Sequence, residues 1–93
     1  MIKPTIGRRV WFWPDRKSSA SGFSYSDQSQ PLDAGIAYVH SDRLINISAA
    51  DQNGNMHSFC SVLLCQEGDE RPEHGRYCEW MPYQVGQAKA AGT

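Results

Sequence analysis

The sequence predicts an all-β protein: a small five-stranded antiparallel SH3-like barrel or curled sheet, with a long N-terminal loop insertion after the first strand. Three observations lead there. Five short segments are rich in β-branched and aromatic residues, two of their connections read as tight turns, and no segment carries a convincing helical repeat. Five is the strand count of SH3-like and OB-type barrels, and curling removes the exposed edges a flat sheet would offer. The SH3 comparison is an analogy of fold alone. At 93 residues the chain has room for one domain, read as 1–93.

The first strand covers Arg9, Val10, Trp11, Phe12 and Trp13 and stops at Pro14, which has no backbone N–H for a ladder. Alternation places Val10 and Phe12 on one face and Trp11 and Trp13 on the other. With both faces bulky, either the strand is covered on both sides or one aromatic face is a working surface. Residues 14–33 form a long, serine-rich polar loop whose only apolar point is Phe23-Ser24-Tyr25. Loops of that length are functional or disordered.

Residues 34–40 read as the second strand, Ser41-Asp42 as a turn, and 43–49 as the third strand. In the third, Ile45, Ile47 and Ala49 alternate with Leu44, Asn46 and Ser48, a half-buried pattern. Asn53-Gly54 signals a type I′ hairpin, in which both central residues take positive φ. The fourth strand runs from Met56 to Cys65. Its alternation slips between Phe59 and Val62, which predicts a β-bulge or bend near Ser61. An acidic loop fills 66–76 and is read as a solvated connection. Tyr77 to Trp80 closes the sheet. Residues 84–93 are expected to be a flexible C-terminal tail with one helical turn at most.

Composition excludes several classes. Nine basic and ten acidic residues give a net charge of −1, unlike a nucleic-acid coat that neutralises many phosphates. No apolar run approaches the ~20 residues that span a bilayer. The first residues lack the apolar stretch of a signal peptide, so the expected location is the cytoplasm. Three cysteines, Cys60, Cys65 and Cys78, are an odd set for a disulfide scaffold and lack the close ligand pairs of structural zinc. No metal and no cofactor are expected. There is no nucleophile elbow, no His-Glu-x-x-His and no phosphate loop, so the chain is read as a non-enzyme with no catalytic residue.

The remaining chemistry is aromatic and basic. Trp11, Trp13, Tyr38, Trp80 and Tyr83, with Arg43 and Arg76 near them in sequence, are the candidate ligand- or partner-binding residues. Rings that stack and guanidinium groups that fork onto anions hold nucleobases and phosphates. The same residue types form the hot spots of protein interfaces. Some of the tryptophans are also needed simply to fill a small core.

Three stretches carry a resemblance: Pro4 to Arg8, Ala37 to Asn46, and Trp80 to Ala88, with Trp-Met-Pro-Tyr-Gln the most distinctive piece. Together they resemble short uncharacterised proteins of tailed bacteriophages and prophages, over most of the chain except the serine-rich loop. The resemblance implies a phage accessory protein, located in the host bacterial cytoplasm, and carries over no catalytic residue. The first expected function is capture of a small nucleotide-type ligand to counter host defence signalling. The alternative is a protein-interaction module that inhibits or redirects a host protein. Nucleic-acid binding comes third, because the charge balance opposes it. A homodimer is a further expectation, since it would bury surplus aromatic surface.

Overall fold

A computed structural model describes residues 1–15, 23–26, 28–73 and 75–90. Strands β1 (Arg9–Trp13), β2 (Leu32–Ser41), β3 (Leu44–Ala50), β4 (Met56–Cys65) and β5 (Tyr77–Glu79) close into a barrel in that order, followed by helix α1 (Pro82–Ala90). This is the small SH3-like barrel that the strand count predicts. One pairing departs from the antiparallel expectation: β4 and β5 run parallel, with Leu64 opposite Cys78 and Cys65 opposite Glu79. The connection between them is no hairpin, so β5 re-enters in the direction of β4 and pairs antiparallel with β1.

The core follows from alternation. Val10 and Phe12 of β1, Ile36 of β2, Ile45 and Ile47 of β3, and Val62 and Leu64 of β4 all point inward and are buried. Phe12 packs on Phe59 with ring centroids 4.7 Å apart. Cys78 is buried in this core and Cys65 is buried beside it, whereas Cys60 is exposed. Burial first, then the neighbouring Cys65, pushes the Cys78 thiol up.

Several boundaries differ from the sequence reading, each for a tertiary reason. Strand β2 starts at Leu32 because Leu32 pairs with Phe12, so the long loop ends two residues earlier than the sequence reading has it, at Pro31. Residues 16–22 and 27 of that loop lie outside the described residues. The turn after β2 falls on Asp42-Arg43. In the β3–β4 hairpin only Gly54 has positive φ (87°), so the turn is not type I′. The Gly54 N–H donates to the Asp51 carbonyl, a type I geometry closed by a glycine in the left-handed region. The expected slip at Ser61 is there. Cys60 and Ser61 together face Asn46, Ser61 takes φ 55°, and its N–H donates to Asn46 Oδ1 at 2.8 Å.

The segment expected to be a flexible tail is helical through Ala90; residues 91–93 lie outside the described residues. Two cues set its start. Pro82 suits the first helical position, and Gln84 Oε1 accepts the Met81 N–H at 2.7 Å, half of a capping box. The same amide reaches the barrel, with Gln84 Nε2 donating to the Arg9 carbonyl at 2.9 Å. Among the described residues no helix is long and apolar enough to cross a membrane.

Asp51 organises the hairpin and the end of the long loop. Its buried carboxylate accepts the N–H groups of Asn53, Asn55 and Ser24, and His57 Nε2 lies 3.0 Å from Oδ2. Burial alone would raise its pKa; the contacts to His57 and the backbone donors outweigh it and hold the carboxyl at about 2. A carboxyl depressed in the folded state stabilises above its unfolded pKa and loses that contribution as pH falls through its folded one. Urea unfolding between pH 5 and pH 2 is therefore expected to show stability falling from about pH 4 downward. Asp51→Asn should lower stability at pH 5 and flatten that fall. An equally steep fall in the variant would assign it to other carboxylates.

Candidate functional site

The working surface starts from β1. Because Val10 and Phe12 face inward, Trp11 and Trp13 stand on the outer face of the barrel, each half-buried. Pairing sets their neighbours: Trp11 lies between Asp33 of β2 and Glu79 of β5, and Trp13 lies opposite Tyr77. The Trp13 and Tyr77 rings stack with centroids 6.4 Å apart and planes 22° from parallel. Trp13 Nε1 donates to Glu79 Oε2 at 2.6 Å, which locks the indole to the sheet. Burial, then the adjacent Glu79, raises the Tyr77 phenol above its ordinary pKa and keeps it neutral.

Charge surrounds these rings in internally matched pairs. Arg9 forks onto Asp33 and lies against the bare backbone of Gly35, where a Cβ would stand 2.6 Å from the guanidinium. On the other flank Arg71 Nε donates to Glu79 Oε1 at 3.2 Å. Arg71 Nη1 also donates to the carbonyls of Gln66 and Asp69, so the cation is fixed at three points. The result is an aromatic centre with a neutralised rim. A partner can cover the rings without leaving a charge stranded.

The other sequence candidates go elsewhere. Trp80 turns into the core, 4% exposed, with Nε1 donating to Gln66 Oε1 at 3.0 Å. The Arg8 guanidinium sits 5.0 Å from its ring centroid. Arg43, at the β2–β3 turn, donates to both carboxylate oxygens of Asp69. That hydrogen bond raises Arg43 and lowers Asp69 from their ordinary pKa values. Arg76 donates to the Cys60 carbonyl and lies 5.5 Å from the Phe59 centroid. Tyr38 is exposed on β2 beside His40, and Tyr83 is exposed on α1. Of the seven candidates, only Trp11 and Trp13 share a surface.

No family model, no curated protein and no solved structure matches this chain. The residues that sequence reasoning missed are Asp33, Arg71, Tyr77 and Glu79. Alternation in the closing strand already puts Tyr77 and Glu79 on one face, but only the β1–β5 pairing puts that face beside the tryptophans.

Beside this face, a cleft of about 300 Å³ opens between β5, the β4–β5 connection and α1. Its walls include Trp80, Pro82 and Val85, with Glu67, Glu79 and Arg71 as charged groups. A second cleft, of about 340 Å³, lies between the end of the long loop and the β3–β4 hairpin, lined by Tyr25, Pro31, Leu32, Asp33 and Gln52 among others. Both carry carboxylates. Among the described residues, the one cation lining either is Arg71, already paired with Glu79.

Proposed function

We propose that the protein is a non-catalytic docking module that binds a host protein through the outer face of β1 and β5. The observation that carries the reading is Trp11: an indole held on the outside of a rigid strand, between carboxylates that already have their own cations. Interfaces of this kind have a desolvated aromatic centre and a polar rim whose charges stay paired. The resemblance to phage and prophage proteins supplies the partner class, a protein of the bacterial host, which docking would inhibit or redirect. Capture of a small anionic nucleotide finds less support, because Arg43 and Arg76 are committed within the chain and both clefts present carboxylates. Long nucleic acid is disfavoured by the same geometry and by the net charge.

The test compares wild type with Trp11→Ala, whose side chain holds no hydrogen bond to the sheet and leaves the core intact. A host protein recovered from bacterial lysate is purified, and its affinity for both forms is measured. A central tryptophan contributes about 2 kcal/mol or more, so Trp11→Ala should weaken binding by roughly 30-fold. Circular dichroism should show the variant folded. Undiminished binding overturns the docking face. So does a native mass that exceeds a whole multiple of the chain by a small molecule lost on denaturation, which favours ligand capture.

A further inference from the structure

The cleft beside α1 has a chemistry of its own. Its apolar lining comes from Pro82 and the partly buried Val85, with the buried Trp80 at their back. Two carboxylates, Glu67 and Glu79, face it against one guanidinium, Arg71. Arg71 holds Glu79 through Nε and the Gln66 and Asp69 carbonyls through Nη1, so its charge is already balanced by Glu79. At about 300 Å³ the space is at the low end for a small-molecule site and suits one long side chain.

The chain shows which charge Glu67 accepts. Lys89, in the last turn of α1, reaches down to the Glu67 carboxylate. Both side chains are more than half exposed, 64% and 53%, so solvent screens the pair and a competing cation can displace it. Glu79 joins this cleft to the aromatic face, since its other oxygen holds the Trp13 indole.

We propose that the cleft receives a basic side chain, an arginine or lysine, of the protein that docks on Trp11 and Trp13. The aliphatic stem lies along Pro82 and Val85, and the cationic head meets Glu67 and Glu79. In the free protein Lys89 occupies Glu67 in its place. A cation with an apolar stem is matched on both counts, whereas an anion would meet two carboxylates and a purely apolar group would desolvate them without recompense. The inference rests on the docking reading for the identity of the occupant. The cleft itself can be probed on the isolated protein.

The experiment titrates N-acetyl-arginine N-methylamide into the ¹⁵N-labelled full chain and follows the indole N–H signals of its three tryptophans. The citrulline counterpart, equal in shape and uncharged, is the control. The arginine probe should move the Trp13 and Trp80 signals saturably and the citrulline probe should not. Glu67→Gln should weaken the response by about threefold, and Lys89→Ala, which frees Glu67, should strengthen it by about the same factor. Equal shifts with citrulline, no shift at all, or indifference to both substitutions overturns the proposal. Binding of spermidine in preference to the arginine probe also overturns it, since the cleft would then serve a free polyamine. Failure here leaves the Trp11 result untouched, and loss of the Trp11 effect leaves the cation titration readable.

Discussion

Gln66→Leu is expected to lower the melting temperature by at least ~15 °C, enough to leave much of the chain unfolded at 37 °C. Gln66 is buried at the end of β4, and its amide makes four contacts that no other residue can replace. Oε1 accepts the Ile2 N–H and the Trp80 indole N–H, and Nε2 donates to the carbonyls of Ile2 and Asp42. One side chain therefore ties the N-terminal segment, the β2–β3 turn and the core tryptophan together. Leucine fills a similar volume but leaves those partners unpaired. Each buried group so orphaned costs about 1–3 kcal/mol, although the Ile2 groups, only partly buried, can reach water. A total of about 3–5 kcal/mol stands against a stability of roughly 5–14 kcal/mol for a domain of this length. Gln66→Glu separates packing from hydrogen bonding. It keeps acceptors for Trp80 and Ile2 but sets a buried carboxylate oxygen against the Ile2 and Asp42 carbonyls, so at neutral pH it should melt no higher than Gln66→Leu. A leucine variant that melts with wild type would show that water replaces the amide.

Phe12→Ala should cost about 3–5 kcal/mol, a large share of the stability of a small domain. Phe12 is fully buried and packs on Phe59, so truncation leaves a cavity that a closed barrel cannot collapse around. Trp11, its neighbour in sequence and larger, should cost far less when truncated, because it faces outward and is only half-buried. The contrast reads directly in urea midpoints of the two variants. The larger residue would have the smaller effect on stability and the larger effect on partner binding. If Trp11→Ala proves as destabilising as Phe12→Ala, the aromatic face is part of the core, and the docking reading loses its main support.

Much of this fold was legible locally. The alternation in Arg9–Trp13 separated core from surface residue by residue, and Ile45, Ile47 and Ala49 are the inward set of β3. The broken alternation at Ser61 marked a real bulge. The helix was not legible. Its residues carry almost no apolar periodicity and only Gln84 is buried, so the helix is held by a cap, a bond to the Arg9 carbonyl and the packing of Val85 alone against the core. The type I′ expectation at Asn53-Gly54 failed because the Asp51 carboxylate organises the turn from outside it, through the N–H groups of Asn53 and Asn55.

The candidate site divides along the same line. Sequence alone determined that Trp11 and Trp13 share a face, because side-chain direction in a strand depends only on a period of two. Nearness in sequence misled for the arginines: Arg43 answers to Asp69 and Arg76 to the Cys60 carbonyl, partners 26 and 16 positions away. The ring of neighbours around the tryptophans was decided by barrel closure. Trp13 and Glu79 are 66 positions apart and meet only because β5 returns beside β1. Trp80 could have joined the surface or filled the core, and it was drawn inward because Gln66 supplies the acceptor its indole N–H needs when buried. Local periodicity says which way a side chain points; what it meets there depends on pairings between distant segments, which no local pattern encodes.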